Sequence, residues 1–421
     1  MSMHRRDFLK AGAAGFAASL AGCASLPGAA PKARVAIVGG GYGGATAAKY
    51  IRLYDPSIEV VLIEPNEAFV SCPLSNMVLG GFRTMADITR PYSGLAARGV
   101  RVVRDTATAI DLEKKQVRLA RGDPVAFDRV IVSAGVDFIW DQLPALNNPE
   151  AQSKVLHAWK AGPQTTQLRR QLEEMSDGGV YVLSIPEAPY RCPPGPYERA
   201  CQVAAYFKGR KPKSKVLLLD ANADVTSKGP LFKKAWNDLY KGIIEYRPNS
   251  KALDVDVRGN IVKLEFGDVQ GDVLNVLPPM KAAAIAAPYI TANRRWCEVD
   301  WLTYESKAVK GVHVLGDSLQ IAPAMPKSGS MANGHGRVCA AAIVALINNE
   351  APNASPTLIN TCYSMVSDKQ AIHVASVHKY DEKDRTMKAV PGSGGVSGAM
   401  SELEGTYTMN WANNIWADAL T

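Results

Sequence analysis

The chain has 421 residues, a mass of 45.2 kDa, a formal net charge of +8 and seven cysteines. With 47% hydrophobic and 21% charged residues it is neither disordered nor collagen-like, and its length suits about two or three domains around a core that needs no disulfide staples. The odd, sparse cysteine set excludes a disulfide scaffold, and the thin spread of basic residues points away from nucleic acid.

The N-terminus reads His4-Arg5-Arg6-Asp7-Phe8-Leu9-Lys10, followed by an Ala/Gly-rich apolar stretch over residues 11–22. Paired arginines ahead of a short apolar run resemble a twin-arginine export signal, and the run is too short to span a bilayer. Gly12, Gly15 and Gly22 disfavour the alternative, a basic amphipathic first helix. That route moves folded proteins after cofactor insertion, so it predicts a cofactor protein working in the periplasm. Two processing routes stay open. One is cleavage after Gly28-Ala29-Ala30; the other is lipidation of Cys23, because Leu20-Ala21-Gly22-Cys23 resembles a lipobox. Removing residues 1–30 takes away three basic residues and one acidic residue and leaves +6.

Next comes a short apolar strand, Arg34-Val35-Ala36-Ile37-Val38, then Gly39-Gly40-Gly41-Tyr42-Gly43-Gly44, then a helix-like segment from Ala45 to Ile51. Gly39, Gly41 and Gly44 fit G-x-G-x-x-G between strand and helix, where glycines allow a tight turn and the helix N-terminus receives a pyrophosphate. A second strand, Val60-Val61-Leu62-Ile63, ends at Glu64, placed to bind a ribose hydroxyl. Further on, Asp128-Arg129-Val130-Ile131-Val132-Ser133-Ala134-Gly135 looks like the strand and turn closing the first half of a two-dinucleotide flavoprotein. Gly311-Val312-His313-Val314-Leu315-Gly316-Asp317 looks like the late flavin motif, whose aspartate binds the ribitol. Three such motifs in this order indicate FAD and resemble the glutathione-reductase-like flavoproteins. That resemblance implies an α/β fold with two Rossmann-type dinucleotide-binding domains plus a C-terminal α+β domain. The expected division is a signal over 1–30, the FAD-binding domain in two parts over 31–145 and 286–350, a degenerate NAD-type domain over 146–285, and a C-terminal domain over 351–421.

In the middle region, strands are predicted at Gly179-Val180-Tyr181-Val182-Leu183 and Lys215-Val216-Leu217-Leu218-Leu219-Asp220. Between them, where a nicotinamide binder shows its glycines, residues 184–199 carry five prolines and no such pattern. Proline removes backbone donors, so this domain is expected to keep the shape and to have lost NAD(P)H. Cys72 follows Glu64 by eight residues, Cys192 lies in the proline-rich segment, and Cys362 lies near the C-terminus; all three are predicted on loops able to converge on a flavin. Cys201 and Cys339 fall in Ala-rich helical runs and read as buried small hydrophobes; Cys297 has no assigned role.

Four segments narrow the resemblance: Phe69-Val70-Ser71-Cys72-Pro73-Leu74-Ser75-Asn76, Arg191-Cys192-Pro193-Pro194-Gly195-Pro196-Tyr197-Glu198-Arg199, Met325-Pro326-Lys327-Ser328-Gly329 and Asn360-Thr361-Cys362-Tyr363-Ser364. Together they resemble the flavoprotein subunit of flavocytochrome c sulfide dehydrogenases over residues 33–421, and more distantly the sulfide:quinone reductases. The resemblance implies a thioether from Cys72 to the flavin 8α-methyl group. It also implies a redox disulfide between Cys192 and Cys362 that sulfide opens to a persulfide, with Glu198 as a base beside it. The plainer alternatives are a buried inert thiol at Cys72, a structural disulfide, and a helix-start carboxylate or Arg199 neighbour at Glu198. The stretch over residues 326–334, with Lys327 and Ser328, precedes an apolar helix predicted from Val338 to Ile347, whose N-terminus is placed to stabilise a reduced flavin or simply to cap a core helix; by the resemblance Trp411 approaches the flavin, and otherwise it packs in the core.

There is no Cys-x-x-Cys-His, so no haem attaches to this chain, no His cluster suits a metal, and no apolar run is read as a membrane span. The implied partner is a separate c-type cytochrome subunit, with sulfide as substrate and sulfur or polysulfide as product. The rivals are a sulfide:quinone reductase at the membrane surface, and a non-catalytic sulfur-binding or activating flavoprotein subunit.

Overall fold

A computed structural model describes residues 30–421; the export signal at Arg5-Arg6, the lipidation site at Cys23 and, of the cleavage motif, Gly28 and Ala29 lie outside the described residues. Residues 33–421 form one compact unit built on three main sheets.

The first sheet has five parallel strands in the order Val312–Val314, Arg129–Val132, Ala33–Val38, Ile58–Ile63, Val100–Val103. Ala33–Val38 and Ile58–Ile63 are near-continuous apolar runs because both their faces are buried, as parallel strands under helices require. The strand order reverses beside Ala33–Val38, and a crevice at the C-terminal strand ends is where such sheets bind ligands.

Helices Tyr42–Tyr54 and Gly329–Ile347 pack against each other. The second begins at Gly329, nine residues before the predicted start at Val338. Its glycines look like loop residues in sequence but serve close packing: a Cβ on Gly336 would lie 2.5 Å from the Gly43 carbonyl oxygen. Among the described residues this is the one helix long and apolar enough to cross a membrane, contrary to the expectation that there is no such run. Most of it is buried within the protein, as in a core helix.

The second sheet repeats the winding with four parallel strands, Ile244–Arg247, Lys215–Asp220, Val180–Ile185 and Val273–Val276, and helix Gly195–Arg210 crosses between the two central ones. A two-stranded ribbon, Val136–Phe138 with Met280–Ala282, carries the chain out of the first sheet's unit and back. The third sheet is antiparallel, from Thr357–Met365, Ala371–Asp381, Thr386–Ala389 and Gly395–Val396. Cys362 therefore sits in a strand, not in the loop expected for it.

The last helix, Glu402–Leu420, buries Ala412, Ile415, Trp416, Ala419 and Leu420. Tyr50 Oη donates to Asp418 Oδ1 at 2.6 Å, Asn333 Nδ2 to Asp418 Oδ2 at 2.7 Å, and Trp416 Nε1 to Tyr42 Oη at 3.1 Å. These bonds clamp it onto the two core helices at the floor of the site.

Candidate active site

The C-terminal ends of the first sheet open into a cleft of about 1510 Å³, solvent at its mouth included. Its floor is the turn after Ala33–Val38. Gly39 has φ +98°, and a Cβ on Gly44 would lie 1.9 Å from the Gly39 carbonyl oxygen, so side chains are barred at both. Gly41 caps the helix with open space around it, leaving the first-turn N–H groups approachable by a pyrophosphate. Glu64 Oε2 accepts from Gly40 N at 2.8 Å, and Oε1 accepts from Asn66 N at 2.9 Å, which holds the carboxylate at the cleft wall.

Asp317 lines the opposite wall. Beside it Ser328 Oγ accepts from Met331 N at 3.0 Å, capping helix Gly329–Ile347, and donates to Asn360 Oδ1 at 2.8 Å. Lys327, expected among the cofactor-binding residues, lines the cleft but turns its ammonium away. Nζ donates to the carbonyls of Asp317 (3.0 Å) and Leu319 and lies 3.5 Å from the Trp296 ring centroid; burial brings it down to about 7. Lys327 meets the sulfur site through its backbone, where its carbonyl accepts from Cys192 N at 2.8 Å.

Cys72, Cys192 and Cys362 all line this cleft, half-buried, as thiols. Cys72 and Cys192 share a local design. Each precedes proline, and each accepts through its carbonyl from the N–H three residues on, Ser75 at 3.0 Å and Gly195 at 2.9 Å, so that a helix starts immediately after the sulfur. Cys192 has φ +58°, a left-handed conformation uncommon for a residue with a side chain, and those backbone bonds hold it there. Burial raises the thiol pKa at Cys192 and at Cys362; Lys228 opposes the rise at Cys362, and Arg191 opposes it at Cys192. Cys201, Cys297 and Cys339 are fully buried away from the cleft.

Glu198 stands in the first turn of helix Gly195–Arg210, 7% exposed and facing the cleft. Oε1 accepts from Met365 N at 2.9 Å and Oε2 from Asn76 Nδ2 at 3.0 Å. Burial raises its carboxyl pKa, which makes it a base of useful strength. Arg199 does not pair with it: Nε donates to Asn76 Oδ1 at 3.0 Å, Nη1 to His157 O and Asn275 Oδ1 at 2.8 Å, and Nη2 to Ala158 O at 2.7 Å. Trp411 closes the cleft beside Tyr363, their ring centroids 6.2 Å apart.

Sequence reasoning leaves three residues unassigned. Asn76 couples Glu198 to Arg199, and Arg191 lines the same cleft as Cys72 and Asp317; burial works against its guanidinium, but those neighbours hold its pKa above the ordinary value. Both stand inside the motifs already quoted. Lys228, behind Cys362, belongs to no motif and meets the site only through the fold.

In the second sheet's unit a cavity of about 950 Å³, open solvent included, remains at the C-terminal strand ends, but the acid of the nucleotide position is taken up by the protein's own side chains. Asp220, at the end of the strand where a ribose-binding acid stands, is fully buried and accepts from Tyr197 Oη at 2.7 Å, Tyr246 Oη at 3.0 Å and Asn222 Nδ2 at 2.7 Å. The helix after the adjacent strand is opened by Pro194 and Gly195 and aims at the sulfur cleft instead.

Comparison with known proteins agrees with this geometry. Residues 165–278 match the model of the central part of the sulfide dehydrogenase (flavocytochrome c) flavoprotein chain, residues 354–420 match the flavocytochrome c sulphide dehydrogenase flavin-binding model, and residues 33–176 match the pyridine nucleotide-disulphide oxidoreductase model. A sulfide dehydrogenase (flavocytochrome c) flavoprotein chain from Chlorobaculum thiosulfatiphilum is 64% identical over 45 residues, 11% of this chain and 94% of that sequence. The mitochondrial sulfide:quinone oxidoreductase of Dictyostelium discoideum is 22% identical over 303 residues, 68% of this chain; the match spans only 65% of that relative's length. The solved sulfide:quinone oxidoreductase of Aquifex aeolicus superposes with a TM-score of 0.74 at 16% identity, covering 92% of this chain and 91% of that one, a likeness of fold of the glutathione-reductase-like kind. The chain belongs to the family of flavocytochrome c sulfide dehydrogenase flavoprotein chains.

Proposed function

We propose that the chain oxidises sulfide to elemental sulfur or polysulfide through a redox bridge between Cys192 and Cys362, holds FAD covalently on Cys72, and passes electrons to a separate c-type cytochrome subunit in the periplasm. The observation that carries this reading is the meeting of three cysteines and a buried carboxylate with a dinucleotide cradle in one cleft. The residues fit FAD: the Gly39–Gly44 turn bars side chains, Gly41 leaves the helix N-terminus open, and Glu64 and Asp317 supply carboxylates on the two walls. When bound, FAD supplies a two-electron acceptor that can release its electrons one at a time.

The chain's own groups supply the sulfur chemistry. HS⁻ attacks one sulfur of the bridge; a new S–S bond forms, the Cys192–Cys362 bond breaks, and the site then holds one persulfide and one thiolate. Glu198, kept basic by burial, takes the proton that sulfide gives up. Loss of two electrons from this set re-forms the bridge and frees sulfur at the zero-valent level. The engagement of Asp220 by Tyr197 and Tyr246 supports an electron route without a nicotinamide.

The inward packing of the C-terminal half of helix Glu402–Leu420 favours a protein acceptor over a quinone, because Ala412, Ile415, Trp416, Ala419 and Leu420 are used on the core, with Leu403 and Tyr407 exposed near its start. Anaerobic titration of the purified flavoprotein with sulfide, followed by turnover with either cytochrome c or decylubiquinone, tests this. Bleaching of the flavin and reoxidation by cytochrome c are expected. A flavin that sulfide leaves oxidised overturns the activity, and reoxidation by the quinone alone overturns the acceptor.

A further inference from the structure

Behind the cleft lies a lysine that this chemistry does not use. Lys228 precedes helix Gly229–Leu239 with φ +56°, a left-handed conformation that turns its side chain inward to 6% exposure. Nζ donates to the backbone carbonyl of Cys362 at 3.0 Å and to Ser364 Oγ at 2.7 Å, and lies 5.7 Å from the Phe232 ring centroid. Among the described residues no carboxylate comes within ion-pair distance of it. The acidic groups around it come from three directions: Cys362 on its strand, Glu198 and Cys192 from helix Gly195–Arg210 and the turn before it, and Glu404 from the last helix. A buried ammonium held only by neutral acceptors is costly unless an anion is brought to it.

We propose that Lys228 is the counter-cation of the anionic sulfur that forms on Cys362 when the Cys192–Cys362 bridge opens. This rests on the reading of those two cysteines as a redox bridge. Attack by HS⁻ makes one S–S bond and breaks another, transfers no electron out of the sulfur set, and leaves the charge that HS⁻ brought on sulfur. Attack at Cys192 leaves a thiolate on Cys362; attack at Cys362 leaves the thiolate on Cys192 and a persulfide on Cys362, which becomes anionic when it gives its proton to Glu198. In both cases the anionic sulfur belongs to the residue whose backbone carbonyl Lys228 Nζ already holds at 3.0 Å. Burial pulls the ammonium down to about 8, and Cys362 is first among the groups that hold it up. Reciprocally, Lys228 leads the groups that pull the Cys362 thiol down, whereas at Cys192 it acts less than Arg191; Glu198 pushes both thiols up. Lys228 touches no substrate atom on this view and acts as a positioning residue.

The test uses the holoenzyme, opened anaerobically with a phosphine reductant and pulsed with iodoacetamide between about pH 6 and pH 10, with Cys192 and Cys362 read separately by peptide mass spectrometry. In the native protein Cys362 is expected to alkylate at lower pH than Cys192. Lys228→Gln is expected to raise the Cys362 midpoint by about 1–3 units, so that alkylation below the midpoint slows about tenfold or more, while Lys228→Arg keeps the midpoint low. Cys192 alkylating first, a Gln variant matching the native protein, or an Arg variant behaving as the Gln variant would each overturn the proposal. The order of the two cysteines in the native protein decides the matter even where the Gln variant does not fold. A chain in which the reductant liberates no thiol at these two positions removes the bridge itself, an outcome distinct from a bridge that opens with the wrong order.

Discussion

Replacing Glu198 by Gln separates a base from a structural carboxylate, because the geometry forbids a free exchange of the amide for the acid. In the native site both carboxylate oxygens accept, one from Met365 N and one from Asn76 Nδ2. Asn76 cannot turn its amide over without losing Arg199 Nε, which donates to its Oδ1 at 3.0 Å. Whichever way the substituted amide is placed, its NH₂ therefore meets a buried donor, and one donor is left without a partner at a cost of about 1–3 kcal/mol. Against this stands relief from burying a charge. The sign follows from the raised carboxyl pKa: native Glu198 contributes full stability below its unfolded pKa and loses it as pH rises through its higher folded pKa, at about 1.4 kcal/mol for each unit of separation. Glu198→Gln should accordingly be less stable than the native protein in acid, with the gap narrowing as pH rises. Thermal melts at acidic and neutral pH read this, and stopped-flow bleaching of the flavin by sulfide reads the chemistry. The bleaching rate should fall about 10²–10³-fold, and its rise with pH through the Glu198 pKa should vanish. A rate within a factor of about three of native, with the pH limb intact, would refute the assignment of Glu198 as base, since general-base contributions are rarely so small.

Other outcomes follow from the same geometry. In Cys72→Ala the denatured, filtered chain should have the mass of the bare polypeptide, where the native chain retains the flavin; equal masses would remove the thioether. In Gly336→Ala the new Cβ meets the Gly43 carbonyl oxygen at 2.5 Å and Thr46 Cβ at 3.0 Å, so overpacking should outweigh the gain in helix propensity and destabilise the protein by about 1–3 kcal/mol, measurable by denaturant unfolding. NADH or NADPH should leave the flavin oxidised in an anaerobic spectrum, because the acid that would take a ribose, Asp220, is engaged by Tyr197, Tyr246 and Asn222.

What is legible in the sequence is local. The turn from Gly39 to Gly44 needs glycine for reasons that lie within a few residues of it, and Glu64 is tied to that turn by one hydrogen bond to Gly40 N. The strand at Lys215–Asp220 stands where its unbroken apolar run places it. Expectation and structure part where a residue's environment comes from a distant segment. Cys362 reads as a loop residue because Asn360, Thr361 and Ser364 are polar, yet they belong to a strand whose inward positions, Leu358 and Asn360, alternate with exposed Thr357 and Ile359. Asn360 is buried because Ser328 comes to meet it across 32 residues of sequence. The start of the helix at Gly329 escapes the sequence for the same reason: Gly329, Gly334 and Gly336 disfavour a helix in isolation, and only the approach of Gly43 makes the smallness of Gly336 useful. Lys228 cannot be found from spacing, since the groups around it come from separate elements that only folding brings together.

The two Rossmann-type units show how one plan serves two chemistries. Each places a strand, a turn and a helix N-terminus in the same relation, and each ends its next strand on an acid, Glu64 in one and Asp220 in the other. In the first unit the turn is stripped of side chains and the acid is held at the cleft wall, which suits a dinucleotide. In the second, Tyr197 and Tyr246 consume the acid, and the turn before the helix carries Cys192 in a strained conformation fixed by Lys327 O and Gly195 N. The helix N-terminus that would have held a phosphate now stands next to a sulfur, and its first turn supplies Glu198. The prolines of residues 184–199 remove N–H groups that a phosphate would need, and Gly195 N is spent on the Cys192 carbonyl, so the turn that presents Cys192 to the cleft is poorly suited to a nucleotide.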